Sequence, residues 1–369
     1  MSQTMLQTST AGVYITTSKA INSREELLIN LKGQAARIPN LKPIFADWRG
    51  ISTRHISPFT APLRKKVNAR LRSFNFDQGK LRRLEASDFA SFTALWWPDT
   101  PFERLEILSY LVIWLFTWDD EIDEPTGLYS DDFSGAQRYR ERTLRFVGDC
   151  LGLAAIDKDF RPQNEIVQSF DVIGAALRGA YNRGQRQRFY DEIARFMACS
   201  EDEQRGRLQG HIPSLDEYWR FRLGTSAVYI SSAVGEYAMG APVPPAVVRS
   251  APMQGVWDET NAIISVTNDL LSLRKEMKMD SIDSIVPLTF ASTNNVQQAI
   301  SQSVAALRAS KARFDVAAEA LLALPCKDGV RGPVEEFIAV QRSNCVGNLV
   351  WRYNMCELIG ADGSQTFIL

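Results

Sequence analysis

The sequence predicts a single all-α domain, and three observations support that fold class. Apolar residues recur with helical rather than strand periodicity along most of the 369-residue chain. The hydrophobic fraction is 45 % and the charged fraction 23 %, which is ordinary for a globular protein with a sizeable core. The sequence shows no internal repeat, long linker or convincing series of alternating strands. We therefore expect one helical domain over residues 22–369, preceded by a disordered, polar segment at residues 1–21.

Start and stop signals place the helices along the chain. Ser23 and Glu26 have the spacing of a capping box at the first helix, and Ser214 and Glu217 repeat it further on. Residues 240–245, rich in Pro and Gly, form the clearest loop. Beyond the first, the expected helices cover residues 63–74, 87–95, 102–123, 134–151, 164–183, 185–208, 214–239, 246–277 with a break near 251–252, 295–323 and 334–358.

Composition argues against several classes of function. The net charge is −1, so no global field attracts nucleic acid or an anionic membrane. Only two histidines occur, which disfavours His-based triads and most zinc sites. The five cysteines are odd in number and include no CxxC pair, a pattern that suits free thiols in a reducing compartment. The N-terminal segment lacks the apolar core of a secretory signal, and the apolar run 107–118 is too short to span a bilayer. We therefore expect a soluble, cytoplasmic protein.

The predicted helix 102–123 ends in a cluster of carboxylates, Asp119-Asp120-Glu121-Ile122-Asp123. Residues four apart return to nearly the same helix face, so Asp119 and Asp123 point the same way, and Phe116 lies one turn below Asp119. Adjacent carboxylates on a core helix are unfavourable, because like charges repel and burial penalises them. A bound cation would remove both problems. The alternative is a helix end that emerges into water, although the helix dipole disfavours acidic residues there.

A second polar set follows about 145 residues later. Asn268, Ser272 and Glu276 are spaced at i, i+4 and i+8 and span about 80° of one helix face. Their oxygen atoms are the hard ligands that Mg²⁺ prefers. Asn and Ser inside a helix compete with its backbone hydrogen bonds, and a ligand role is one reason to tolerate them. The alternative is an exposed polar face, on which Lys275 and Glu276 are ordinary surface charges.

Together, the two motifs resemble those of the class I terpene synthases of the single-domain microbial and fungal kind. The first motif matches their DDxxD sequence, and the second matches N-D-x-x-S-x-x-[RK]-E without departure. The resemblance extends over roughly residues 50–358 and implies a helical bundle around a central apolar cavity. It also implies three Mg²⁺ ions, with Mn²⁺ as an alternative ion. The implied ligands are Asp119, Asn268, Ser272 and Glu276, with Asp120 and Asp123 supporting the first side.

The resemblance further implies side chains that bind diphosphate. Lys275 precedes the last ligand of the second motif, and Arg222 precedes an expected helix break at residues 224–226. Arg220 is the rival to Arg222, and a structural salt bridge would explain either. Arg352 and Tyr353 correspond to the Arg-Tyr pair near the family's C-terminus. In the family, a tryptophan precedes the Arg-Tyr pair by about six residues. If Trp351 corresponds to that tryptophan, the positions of the pair fall on Glu357 and Leu358 instead. Both alignments remain open.

The implied chemistry requires a dry, apolar pocket, since water would quench a carbocation at once. Aromatic faces can stabilise the positive charge without acting as nucleophiles. Aromatics also fill helical bundles as plain core, so each candidate has that alternative, and Phe116 is the strongest because it lies one turn below Asp119. The candidates for the cavity are Phe89, Phe92, Trp96, Phe116, Tyr229, Trp257 and Trp351.

The function implied by the resemblance is the Mg²⁺-dependent ionisation and cyclisation of a linear isoprenyl diphosphate. Farnesyl diphosphate, giving a cyclic sesquiterpene and diphosphate, is the expected substrate, and geranylgeranyl diphosphate is the main alternative. A chain-elongating prenyltransferase would carry a second aspartate-rich motif where this chain has Asn, Ser and Glu. A non-catalytic helical scaffold would leave both ligand sets unexplained. Similar proteins are commonly dimers, so a homodimer and a monomer are both open.

Overall fold

The computed structural model describes residues 23–51, 55–153, 160–325, 331–355 and 359–369. These residues form an almost entirely helical fold, which confirms the predicted class. The expectations for residues 1–21, Glu357 and Leu358 lie outside the described residues. The helices are α1 (Arg24–Leu31), α2 (Thr60–Arg72), α3 (Gln78–Ala86), α4 (Phe89–Trp96), α5 (Phe102–Asp123), α6 (Phe133–Cys150), α7 (Glu165–Gln168), α8 (Phe170–Ala180), α9 (Arg183–Leu208), α10 (Leu215–Thr225), α11 (Val228–Ala233), α12 (Gly235–Met239), α13 (Pro245–Val248), α14 (Ala251–Lys278), α15 (Ile285–Thr293), α16 (Val296–Leu322) and α17 (Arg331–Met355).

A small antiparallel sheet was not predicted from the sequence. Strand β1 (Ala35–Ile38) pairs with β2 (Gln365–Ile368), so that Ala35 lies opposite Ile368. Each strand has four residues, which is too short for a period of two to stand out against the helical pattern. The sheet holds the C-terminal segment against the segment that follows α1.

The capping signals explain where two helices begin. The Ser23 hydroxyl oxygen accepts a hydrogen bond from the Glu26 backbone N–H at 3.1 Å, which makes Ser23 the N-cap of α1. Ser214 and Glu217 form both bonds of a capping box at the start of α10. The cap bonds use backbone N–H groups that have no partner inside the helix.

Several predicted boundaries were wrong in detail. The prediction for residues 102–123 matches α5. The predicted helix 164–183 is instead two helices, α7 and α8, separated at Ser169. The predicted helix 214–239 is three helices, α10, α11 and α12. The predicted break near residues 251–252 lies just before α14, at Arg249 and Ser250. No helix was predicted for α3 or α15, since both are short, and α15 is apolar around most of its circumference.

Two glycines allow the helices around the centre to approach closely. A Cβ atom at Gly347 would lie 2.6 Å from the Leu95 carbonyl oxygen, so only glycine lets α17 pack against the end of α4 at this point. A Cβ at Gly224 would lie 2.2 Å from Cys199 Sγ, where α10 meets α9. Helix α5 runs through the middle of the core, and its Trp114 and Trp118 are fully buried.

None of the helices in the described part of the chain is long and apolar enough to cross a membrane.

Candidate active site

Among the described residues, a cavity with two parts is lined by eight helices, α1, α4, α5, α9, α10, α11, α14 and α17. The outer chamber has a volume of about 550 Å³ and is lined largely by charged and polar side chains, which include those at the ends of α5 and α14. The inner chamber has a volume of about 100 Å³ and is lined largely by apolar and aromatic side chains. Both chambers share the residues at their junction, which are Phe116, Asp119, Thr225, Ser226, Ile264, Asn268 and Arg352.

The first predicted ligand set lies at the end of α5, where Asp119, Asp120 and Asp123 line the outer chamber. Asp119 Oδ1 is buried and has no hydrogen-bond partner among the described residues. Burial, and then the charges of Asp123 and Asp120, raise the pKa of Asp119 well above its usual value. Burial also raises the pKa of Asp120 to about 6. The folding of α5 therefore places carboxylates where their charge is unfavourable without a cation.

The second predicted set lies on α14, and Asn268, Ser272 and Glu276 line the same chamber. The Ser272 hydroxyl is 2.7 Å from the Asn268 carbonyl oxygen, and it also contacts the Glu276 carboxylate. Burial, and then the charge of Asp269, raise the pKa of Glu276. The helical spacing predicted from the sequence thus brings the three side chains together on one face.

These residues suit a hard divalent cation. Carboxylate, amide and hydroxyl oxygens are the donors that Mg²⁺ and Mn²⁺ accept. The unpartnered Asp119 oxygen and the raised carboxyl pKa values are observations that a cation would explain. In the described ranges, no three His, Cys, Asp or Glu side chains form a ready-made metal cluster.

The structure separates the two candidate arginines on α10. Arg222 lines the outer chamber, and its Nη2 lies 2.7 Å from Asp269 Oδ1 and 3.3 Å from Asn268 Oδ1. Arg220 is exposed and lines a different pocket, which also includes His211. Two residues along a helix correspond to a rotation of about 200°, so both cannot face the same chamber.

Asp269 has a position that sequence reasoning did not recognise. It is 1 % exposed and accepts hydrogen bonds from the Tyr218 hydroxyl at 2.5 Å, from Arg222, and from the Ile285 backbone N–H at 2.9 Å. It therefore holds Arg222 at the chamber and connects α10, α14 and the start of α15. The motif contains this aspartate, but its partners are distant in sequence, so spacing alone could not have identified them.

The expected helix break after Arg222 is present, slightly later than predicted. Helix α10 continues through Thr225, and Ala227 has a left-handed backbone with φ of 58°. Asn261 stabilises the break, because its Nδ2 donates to the Leu223 carbonyl oxygen at 2.6 Å and its Oδ1 accepts from Ser226 at 2.7 Å. The break places Thr225 and Ser226 at the junction of the two chambers.

The remaining diphosphate candidates have different surroundings. Lys275 lies at the rim of the outer chamber, 3.5 Å from Glu124, and Arg352 lines both chambers. Tyr353, the other member of the expected pair, is not among the residues that line the two chambers. Its hydroxyl accepts from the Leu41 backbone N–H at 2.9 Å, and Lys42 lies over its ring, because adjacent residues on α17 point about 100° apart.

Four of the seven aromatic candidates line the inner chamber, where they form one cluster around Phe92. The ring centroid of Phe92 lies 4.5 Å from Trp96, 5.0 Å from Trp351 and 5.8 Å from Phe116. The other three candidates pack in the core around the chamber instead of lining it. Phe89 lies behind Phe116, Tyr229 donates to Asp258 beneath Arg195, and Trp257 stacks on Phe337.

Two residues of α9 near the chamber were also missed. Arg207 donates hydrogen bonds to the carbonyl oxygens of Ile122 and Ser130, each at 3.0 Å, and so stabilises the acidic end of α5. Burial raises the pKa of Glu203 to about 8, and the nearby Asp123 adds to the shift. Their spacing of four residues on a helix was visible in the sequence, but nothing there indicated that α9 faces α5 at this point.

Comparisons with known proteins agree with this geometry. A sequence profile described as terpene synthase family 2, C-terminal metal binding, matches residues 110–310. The sesquiterpene cyclase hepA of Aspergillus oryzae is 34 % identical over 357 residues, which cover 93 % of this chain and 95 % of that protein. The terpene cyclase braA of Annulohypoxylon truncatum is 25 % identical over 347 residues, covering 91 % and 89 %. The structure of linalool/nerolidol synthase from Streptomyces clavuligerus has a TM-score of 0.70 and 20 % identity, covering 80 % of this chain and 97 % of that one.

A helical bundle with carboxylate, amide and hydroxyl groups at the mouth of an apolar cavity, together with these similarities, defines a class I terpene synthase, which is a carbon–oxygen lyase. The chain belongs to terpene synthase family 2, and the matched segment contains both ligand motifs, from α5 to α14.

Proposed function

We propose that this protein ionises and cyclises farnesyl diphosphate in a reaction that requires Mg²⁺, giving a cyclic sesquiterpene and diphosphate. The division of the cavity into a polar and an apolar chamber carries the proposal. The outer chamber suits a diphosphate group, and the inner chamber suits a hydrocarbon chain. The sesquiterpene cyclase among the similar proteins supports a fifteen-carbon substrate over the alternative geranylgeranyl diphosphate.

Residues on both sides of the outer chamber would hold the metal and the leaving group. Asp119 on α5 and Asn268, Ser272 and Glu276 on α14 would bind three Mg²⁺ ions, while Asp120 and Asp123 support the first side. When bound, Mg²⁺ supplies positive charge that stabilises the departing diphosphate. Arg222, Lys275 and Arg352 would bind diphosphate oxygens, and Asp269 keeps Arg222 in place.

The inner chamber would control the fate of the cation. When the bond between C1 of the substrate and the diphosphate oxygen breaks, the electron pair leaves with the diphosphate. The faces of Phe92, Phe116, Trp96 and Trp351 would then surround the positive charge without reacting with it. A chamber lined in this way limits access of water and favours internal attack by a double bond, which closes a ring.

The test is an incubation of purified protein with geranyl, farnesyl and geranylgeranyl diphosphates, each with Mg²⁺ and with chelator. Products are identified by gas chromatography with mass detection, and released diphosphate is measured separately. We expect a cyclic C15 product only with farnesyl diphosphate and Mg²⁺. Asn268→Ala should lower turnover at least about 100-fold, whereas Asn30→Ala, on an exposed face of α1, is the matched control. A cyclic C20 product would assign a diterpene synthase, and longer linear diphosphates formed with isopentenyl diphosphate would assign a prenyltransferase.

A further inference from the structure

One side chain of the outer chamber comes from α1, far from both ligand motifs in the sequence. Arg24, the first residue of α1, lines the chamber, whereas the segment that matches the family profile begins only at residue 110. Leu27 and Leu31 of the same helix are fully buried, and α1 packs against α15. The packing of α1 therefore holds Arg24 at the chamber.

Arg24 joins three segments of the chain at this point. Its Nη1 donates to Asp283 Oδ1 at 2.8 Å and to the His211 carbonyl oxygen at 2.9 Å, and its Nη2 donates to Asp283 Oδ2. A guanidinium bound to both oxygens of one carboxylate has a fixed geometry. Only 17 % of the Arg24 side chain and 14 % of the Asp283 side chain are exposed, so water screens this ion pair weakly.

Asp283 also lines the outer chamber, where its charge affects the acidic end of α5. Burial raises the pKa of Asp123 to about 6, and the charge of Asp283 adds to the shift. Among the residues that line the chamber, carboxylate side chains outnumber basic ones, eight against five. If Asp283 had no basic partner, a weakly screened negative charge would face the place where diphosphate, itself an anion, has to bind.

The segment 279–284 connects α14 with α15 and forms part of the chamber wall. Its start is bonded to the helix that carries the second ligand set, because the Ser281 backbone N–H donates to the Glu276 carbonyl oxygen at 3.0 Å. Nearer its end, Asp283 is held by the ion pair with Arg24. The pair therefore fixes the part of this wall that lies further from α14.

On the basis of the proposed function, we propose that Arg24 is a positioning residue for the diphosphate group, and that it acts by neutralising Asp283 and holding it in the wall. Both terminal nitrogens of Arg24 are used by Asp283 and the His211 carbonyl oxygen, so Arg24 acts through Asp283 and not by touching the substrate. Its effect belongs to the anionic part of the substrate. The hydrocarbon part, which we assign to the inner chamber, should not depend on it.

The first test measures binding of inorganic diphosphate in the presence of Mg²⁺ by titration calorimetry at pH 8. We expect Arg24→Ala to weaken binding about tenfold, because Asp283 is left unpaired beside the bound anion. Unchanged binding in folded Arg24→Ala would contradict the proposal. Arg24→Gln also removes the charge and replaces the alanine variant if thermal unfolding shows that the latter does not fold.

Lys32→Ala is the matched control for a salt bridge between α1 and the same segment. Lys32 directly follows α1 and contacts Asp280 at 2.5 Å, but it does not line the chamber. The two side chains are 50 % and 60 % exposed, so water screens their charges. Binding of diphosphate should stay within about twofold of wild type. A loss equal to that in Arg24→Ala would mean that any contact of α1 with this segment suffices, and would contradict the proposal.

The second test removes the charge of Asp283. Arg24→Ala combined with Asp283→Asn should bind diphosphate within about threefold of wild type, because no unpaired carboxylate remains. A double variant as weak as Arg24→Ala would show that Arg24 contacts diphosphate directly or serves only the fold, and would overturn the proposal. Asp283→Asn alone should bind at least as tightly as wild type. A tenfold loss in that variant would show that Asp283 itself takes part in binding, which would also overturn it.

Turnover distinguishes failure of this inference from failure of the proposed function. With farnesyl diphosphate and Mg²⁺, we expect Arg24→Ala to raise KM about tenfold, while the product distribution by gas chromatography stays that of wild type. A shift toward linear alcohols would show that Arg24 excludes water instead, and would overturn the proposal. A wild-type protein that binds diphosphate but converts no isoprenyl diphosphate would contradict the proposed function and leave this inference in place.

Discussion

Two arginines on α10 differ in what surrounds them, and this difference can be tested. Arg222 contacts Asp269 and faces the outer chamber, whereas Arg220 is exposed on another side of the helix. We expect Arg222→Ala to weaken binding of inorganic diphosphate at least about tenfold in the presence of Mg²⁺, because a charge-assisted contact is lost. Arg220→Ala is the matched control and should bind like wild type in titration calorimetry. Equal losses in both variants would contradict the assignment of Arg222.

A second pair of residues tests the lining of the inner chamber. Phe116 lines the chamber, and Phe89 packs behind it with ring centroids 5.1 Å apart. We expect Phe116→Leu to change the distribution of terpene products, because the ring that would face the cation is removed. Phe89→Leu removes the same ring volume one layer further out and should change the product profile much less. A larger change in Phe89→Leu, measured by gas chromatography, would show that Phe116 does not contact the substrate.

At the level of helices, the packing of α17 against α4 depends on Gly347. An alanine Cβ there would meet the backbone of Leu95, which cannot move independently as a side chain can. We expect Gly347→Ala to lower the free energy of unfolding by about 1–3 kcal/mol through overpacking. Gly332→Ala, on the same helix with open space around it, should change stability little or raise it by up to about 1 kcal/mol. Denaturant unfolding of both variants measures the difference in stability. Equal free energies of unfolding would contradict the conclusion that α17 can pack against the end of α4 only with glycine at position 347.

The same elements show which features the sequence could predict. Spacing within one helix was sufficient to predict the bounds of α5 and the shared face of Asn268, Ser272 and Glu276, because both follow from helical periodicity. Contacts between helices could not be predicted in this way. The bond from Tyr218 to Asp269 joins residues 51 positions apart, and the direction of Tyr353 depends on the neighbouring Leu41. These side chains required the packed structure.

For the molecule as a whole, the carboxylates around the outer chamber couple stability to pH. Burial raises the pKa of Glu203 to about 8 and that of Asp120 to about 6, whereas carboxyl groups in the unfolded chain titrate near pH 4. Between about pH 4 and pH 8, the folded metal-free protein therefore binds more protons than the unfolded chain. Its free energy of unfolding must fall as the pH rises through this window.

We accordingly expect the metal-free protein in chelator to unfold at a lower temperature at pH 8 than at pH 6. Mg²⁺ with inorganic diphosphate should raise the unfolding temperature more at pH 8, because metal ligands bind in their deprotonated form. Glu203→Gln should show a smaller difference between the two pH values, since it removes the group whose pKa is about 8. Calorimetric scans of both proteins at pH 6 and pH 8 measure this. A metal-free protein that is more stable at pH 8 would show that these carboxylates are not buried as the structure places them.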